Sequence, residues 1–250
     1  MNGGTNVKFD GHARTPECRA GPVSAAEKKR GSRGSAFLHF APTVAKAGEA
    51  LGKGGFILVY DGDAREGEAD IMFHAKFASP EKIERLRKDA GGLICLAIGA
   101  ERAQRLGLPF LTEVLRKAGL ERITVKRTAY GDEPAFSLQI NHKNVYTGIP
   151  DADRALTIRE MEKTQSREAF ERDFYAPGHV FLLIGRGLEK RKGHTELSLE
   201  LARIAGLGDA MVMCEMLGKG KALAKKDAMD YAEKNGFPFI EGREIWQKRK

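Results

Sequence analysis

The chain carries two hydrophobic periods, and their order along it predicts the elements. Ala36, Phe37, Phe40, Val44 and Ala47 recur at helical spacing before Gly52 and Gly54-Gly55, which predicts a helix over 37–54. Phe56-Ile57-Leu58-Val59-Tyr60 is an apolar run bounded by turn formers and predicts a buried strand. Ile71, Phe73, Ala75 and Phe77 then alternate with Asp70, Met72, His74 and Lys76, a strand with two unlike faces. Ser79-Pro80-Glu81 supplies an N-cap serine, a proline at the first helical position and an acid in the first turn. That helix runs to Ala90 and stops at Gly91-Gly92. A buried strand follows at 93–98, then short helices near 100–106 and 110–118 and strands near 122–128 and 135–142. Asp153 caps a helix running to about Lys163, and Val180–Ile184 is a strand. The last third reads as helix 195–205, strand 211–216, helix 222–235, strand 237–240 and helix 242–249.

Strands and helices alternate, with strand pairs near 56–77 and 122–142. The order predicts an α+β fold with α/β-type layers: a single domain over 37–250, built on a mixed β-sheet flanked by helices. Residues 1–36 break the pattern. They are rich in Gly, Ser, Ala and basic side chains and poor in large apolar ones, so a disordered basic N-terminal extension is expected there. It has no apolar core of a secretory signal, and its acids count against an organellar transit peptide; a start codon placed too early is a third reading.

Composition narrows the function classes. The chain is 42% hydrophobic and 30% charged, an ordinary globular balance, and no apolar stretch approaches a membrane span. Cys18, Cys95 and Cys214 form neither a disulfide framework nor a zinc pattern, which fits a reducing cytoplasm. The net charge is +8, but the first 36 residues hold seven basic side chains against three acidic ones. The body is therefore only mildly basic. It lacks an aromatic-interleaved basic patch, which disfavours nucleic acid and leaves small phosphorylated ligands open. The Rossmann glycine fingerprint and the P-loop are both absent.

Chemistry concentrates in a few stretches. Asp61–Asp70, DGDAREGEAD, packs five acids and one arginine into ten positions directly after a buried strand. With an extended backbone, Glu66, Glu68 and Asp70 share one face and need a cation, a basic side chain or bulk water. Alone, such a cluster reads first as a solvated turn. The segment Arg186–Glu196, RGLEKRKGHTE, sets four basic residues before a predicted helix start, a natural anion site. Glu215 interrupts an apolar strand, where burial demands a partner or a raised pKa suited to proton transfer. His179, at the mouth of a strand, and Cys95, inside one, read by themselves as structural residues. All these positions fall at strand ends or turns, where α/β sheets collect their sites. Carboxylates with a single histidine favour Mg²⁺ or Mn²⁺ over zinc.

Five ordered motifs sharpen the picture: YDGDAREGEAD (60–70), AGGLICLAI (90–98), YTGIPDADRALTI (146–158), APGHVFLLIGRGLEKRKGHTE (176–196) and MCEM (213–216). With them the chain resembles the 3,4-dihydroxy-2-butanone 4-phosphate synthases of riboflavin biosynthesis over about residues 37–245. Segment 100–140, with no cyclohydrolase domain after it, resembles the archaeal single-function form. The resemblance implies a lyase that turns D-ribulose 5-phosphate into 3,4-dihydroxy-2-butanone 4-phosphate and formate. It also implies Mg²⁺ or Mn²⁺ with two ions per site, and a homodimer with sites near the subunit interface. Carried over by position, Glu66 and His194 correspond to metal ligands. Arg65, Glu66, Asp70, Thr147, Arg191, Lys192, Gly193, His194, Thr195 and Glu215 correspond to substrate-contacting positions, and Asp61, Glu68, Cys95, His179 and Glu215 to catalytic ones. Ala69 stands where the family has glycine, and its methyl is tolerable only with φ below zero.

Overall fold

Apolar runs that alternate between two buried faces produce a sheet covered on both sides. The computed structural model describes residues 42–247, and all of them fall in one unit. The expected N-terminal extension and the start of the first predicted helix lie outside the described residues. The strands are β1 (Ile57–Tyr60), β2 (Ala69–His74), β3 (Cys95–Ile98), β4 (Phe136–His142), β5 (Phe174–Ile184), β6 (Ala210–Glu215) and β7 (Phe239–Glu241). They form one mixed sheet in the order β4-β5-β3-β6-β2-β1-β7. The pairs β3/β5 and β1/β7 are parallel; the remaining pairs are antiparallel.

The helices are α1 (Pro42–Gly52), α2 (Pro80–Arg85), α3 (Ala100–Leu106), α4 (Leu111–Lys117), α5 (Asp151–Lys163), α6 (Arg167–Asp173), α7 (His194–Ile204), α8 (Lys225–Asn235) and α9 (Gly242–Trp246). Leu58, Ile71, Phe73, Leu96 and Val212 pack with Ile83, Ile158 and Ala228 on one face of the sheet. Ile57, Val59, Met72, Ala97 and Met211 pack with Val44, Leu51, Leu197 and Leu201 on the other. Period-2 strands buried on both faces thus give a three-layer α+β domain, as the sequence predicts.

Several readings need correction, among them the strand expected through Phe77, which ends at His74 and gives way to a single tight turn over Ala75–Phe77. Residues 122–128 form turns and bends rather than a strand. Ile123 is 74% exposed and Val125 45%, so the apolar alternation there has no sheet to enter. Strand β5 begins at Phe174, six residues earlier than predicted. Its first half pairs with the edge strand β4, His142 opposite the buried Phe174 and Asn141 opposite Tyr175, and Tyr175, Ala176, Pro177 and His179 in it are exposed. Helix α6 has no counterpart in the sequence reading; Ser166 caps it by accepting from Ala169 N. Helix α5 starts at Asp151, and Asp153 instead accepts from the backbone N–H groups of Thr147 and Gly148, holding the preceding turn.

Ala69 is resolved by β2. It is an extended strand residue paired with Tyr60, and its methyl is fully buried in the α2/α5 face of the core. Asp70, one position on, projects to the opposite face. The methyl therefore points away from the acidic cluster and does not crowd it.

Candidate active site

The site forms where β2, β3 and β6 present their α7-side residues beneath the start of α7. Asp70 pairs with Glu215 and Cys95 with Met213, so these four side chains lie on one patch of sheet. Glu215 is held by the chain before β3: its Oε2 accepts from Leu93 N at 2.7 Å, and its carbonyl accepts from Gly92 N. A cleft of about 550 Å³ opens over this patch. Glu66, Glu68, Asp70, Cys95, Arg191, His194, Thr195 and Glu215 all line it.

The acidic segment reaches the cleft as a loop and not as an extended strand. Gly62 and Gly67 have positive φ, and regular pairing begins only at Ala69. Asp61 shapes the loop. Its carboxylate accepts from the backbone N–H groups of Glu66, Gly67 and Glu68 at 3.1–3.2 Å and from Arg65 Nη1 at 2.9 Å. Its side chain is wholly buried and does not line the cleft, so its contacts are those of a loop organiser and not of an open proton carrier.

Glu66 and His194 meet across the cleft, with Glu66 Oε2 3.4 Å from His194 Nδ1. His194 Nε2 lies 3.2 Å from the Glu68 carbonyl and 3.6 Å from Asp70 Oδ1. Gly193 is the N-cap of α7, and a side chain there would have to push two guanidiniums aside: a Cβ would come within 2.5 Å of Arg191 Nη1 and 2.7 Å of Arg65 Nη2. Arg191 is oriented by Glu196, whose Oε2 lies 2.7 Å from Nη1 while its other oxygen accepts from Arg186 N.

Charge here is strongly coupled. Burial raises the Asp70 carboxyl, His194 works against that, and Glu215 and Glu66 add to it, leaving it at about 8. Burial alone would lower His194, but Asp70 and the hydrogen bond with Glu66 outweigh it and hold the imidazolium to about 9. Burial likewise opposes ionisation of Glu66, yet His194, Tyr130 and Arg65 hold it at about 2. Glu68 is pushed up by burial and then by the charges of Glu66 and Glu215. Burial, then Glu215 and Asp70, push the Cys95 thiol well above its usual range, so it faces the cleft as a neutral thiol rather than a thiolate nucleophile.

The donor set fits a hard divalent cation. Asp61, Glu66 and His194 offer ligand atoms within 4.8 Å of one another. Asp70 Oδ1 is buried and, among the described residues, has no hydrogen-bond partner. An orphaned carboxylate oxygen beside a histidine is what a cation would satisfy. Because Asp61 already serves three N–H groups and Arg65, Glu66 and His194 are the better-placed ligands.

Of the expected residues, Asp61, Arg65, Thr147, His179, Lys192 and Gly193 do not line the cleft. Lys192 is exposed, with its ammonium 4.1 Å over the Trp246 ring. Thr147 and His179 are exposed and do not line the cleft; His179 is tied to Asn141 through its N–H. The sequence reading in turn missed a flap over 120–136. Tyr130 hydrogen-bonds Glu66 and lays its ring 4.7 Å from the Arg65 guanidinium carbon. Asp132 Oδ2 lies 2.6 Å from Arg65 Nη2. The available signal was the turn chemistry of Gly131-Asp132-Glu133-Pro134, obscured by the strand-like alternation just before it.

A family model described as 3,4-dihydroxy-2-butanone 4-phosphate synthase matches residues 45–248. The chain belongs to this family. The 3,4-dihydroxy-2-butanone 4-phosphate synthase of Archaeoglobus fulgidus is 44% identical over 214 residues, covering 78% of this chain and 89% of that protein. The synthase of Methanosarcina mazei is 42% identical over 217 residues, covering 80% and 88%. A solved 3,4-dihydroxy-2-butanone 4-phosphate synthase in complex with two magnesium ions superposes with a TM-score of 0.68 at 26% identity, covering 81% of this chain and 94% of that one. No helix among the described residues is long and apolar enough to cross a membrane.

Proposed function

We propose that the chain is a lyase of riboflavin biosynthesis, converting D-ribulose 5-phosphate into 3,4-dihydroxy-2-butanone 4-phosphate and formate with Mg²⁺ or Mn²⁺. The observation that carries this reading is the meeting of Glu66, His194 and the orphaned Asp70 oxygen with Arg191 and Thr195 in one cleft. Glu66 and His194 would hold the cation. Two ions per site extend the same reading, and the magnesium-bound relative supports it. A bound divalent cation supplies positive charge that polarises carbonyl and hydroxyl oxygens and acidifies the adjacent C–H.

The residues of the chain do the remaining work. Arg191, Thr195 and the first N–H groups of α7 bind the phosphate, fixing the sugar carbons relative to Glu66 and His194. Arg65 and Asp70 face the sugar. Glu68, with its raised pKa, and Glu215, which lines the same cleft, accept and return protons during enolisation, loss of water, the 1,2-shift, rehydration and C–C cleavage. Leu111, Leu115 and Val125 line the outer cleft and exclude bulk water from the reacting carbons.

His179 and Thr147 act from a second subunit in this reading. They lie with the exposed Tyr146, Ile149 and Tyr175 around Asn141, an apolar surface suited to a homodimer interface. Cytoplasmic residence follows from the same role. Product NMR tests the chemistry: formate plus a four-carbon phosphate supports the lyase, whereas a five-carbon phosphate product would assign the site to a sugar-phosphate isomerase.

A further inference from the structure

Asp132 reaches the site from the flap, outside both the acidic loop and α7. Its Oδ2 lies 2.6 Å from Arg65 Nη2 and 3.6 Å from Arg191 Nε. That Nε is buried and, among the described residues, has no hydrogen-bond partner. The other acids on the two arginines each hold a further partner. Asp61 holds three backbone N–H groups, Glu196 also accepts from Arg186 N, and Glu66, whose Oε1 lies 3.0 Å from Arg65 Nη1, turns its Oε2 to His194. Asp132 is also the most accessible of them: its side chain is 25% exposed, against 0% for Asp61 and Glu196 and 19% for Glu66. Its backbone sits in a tight turn, where Asp132 N donates to Thr128 Oγ1 and Gly131 takes a φ of 90°.

We propose that Asp132 is an internal stand-in for the substrate's phosphate, occupying the space between Arg65 and Arg191 until a phosphomonoester displaces it. A carboxylate brings one negative charge and two oxygens. A phosphate dianion brings more charge and a third oxygen, enough to take over both guanidiniums, including the unpartnered Nε. An unphosphorylated sugar has nothing to offer the pair, and a monoanion only matches what Asp132 supplies. Asp132 is thus a specificity-determining residue. It neutralises the arginine pair in the free protein and sets the charge an incoming ligand must carry. The inference rests on the functional reading in taking Arg191 as a phosphate ligand, and it adds Arg65, which that reading sets beside the sugar, to the same subsite.

The test is calorimetric binding of inorganic phosphate to the full chain in EDTA, with no turnover involved. Asp132→Asn should bind phosphate about tenfold more tightly than the wild type, and Asp132→Glu should stay near the wild-type value. Glu133→Gln removes the same charge one residue away, on a side chain paired with Arg186, and should change nothing. In turnover, Asp132→Asn should lower KM for the phosphorylated substrate without raising kcat. Unchanged or weaker phosphate binding in Asp132→Asn would overturn the proposal. Equal tightening in Glu133→Gln, or no binding by any variant, would do the same. A failure of formate release would sink the lyase reading and leave the phosphate result to be judged separately.

Discussion

Asp70 and Glu215 stand directly opposite each other on β2 and β6, two carboxylates where a cross-strand pair usually joins unlike partners. Glu215 is held by Leu93 N, but Asp70 Oδ1 has no hydrogen-bond partner among the described residues. Stability is given up here for a site that a cation can complete.

That arrangement fixes a pH dependence for the metal-free protein. Asp70 is raised from 3.8 to about 8 and His194 from 6.5 to about 9. Both groups bind their proton more tightly in the folded state. Each therefore contributes stability that is full below its unfolded pKa and is lost as pH rises through the folded one. In EDTA, Tm should fall between pH 6 and 9; a loss of 1 kcal/mol would lower it by about 2–4 °C. Asp70→Asn should flatten this slope and be more stable than wild type at pH 9, while losing activity. A wild-type Tm that rises over this range would contradict the assignment.

His194 must lose its proton to serve as a ligand, so metal binding should release one. Mn²⁺ affinity should rise with pH up to about 9, and the heat of binding should vary with the ionisation enthalpy of the buffer. Glu66→Ala and His194→Ala should keep the fold by circular dichroism and lower turnover by more than about 100-fold. Wild-type rates in either variant would refute the ligand assignment.

Asp61→Ala tests the loop. It strips three backbone N–H groups and Arg65 of one buried acceptor, so the variant should lose about 2–4 kcal/mol in urea unfolding. A change under about 0.5 kcal/mol would show that the loop does not depend on it.

If His179 works in a partner's cleft, two inactive variants should complement each other. Glu66→Ala mixed with His179→Ala, after subunit exchange, should recover about a quarter of wild-type activity, because half the dimers are mixed and each carries one intact site. No recovery from exchanged dimers would place His179 and Glu66 in the same subunit's site.

Much of this was legible in the chain. Ile57–Tyr60, Cys95–Ile98 and Met211–Cys214 are buried on both faces, so apolarity alone marked them as strands, although Leu93, counted with the second, is exposed and precedes it. Gly193-His194 announced the start of α7 because helix starts carry local chemistry. The first half of β5 was not legible, since Tyr175 to His179 are polar, small or exposed and pair only because β4 lies beside them. The flap escaped for the opposite reason: Ile123 and Val125 alternate like a strand yet stand over a cleft. Asp132 and Tyr130 acquire meaning only from Arg65, more than sixty residues earlier, a relation no local pattern encodes.

The most direct test of the central claim is formate release from ribulose 5-phosphate by the purified chain with Mg²⁺, measured with and without EDTA. The account predicts stoichiometric formate alongside a four-carbon phosphate, abolished by EDTA and restored by excess Mg²⁺. No formate from folded, metal-loaded protein, or formate release indifferent to EDTA, would contradict it.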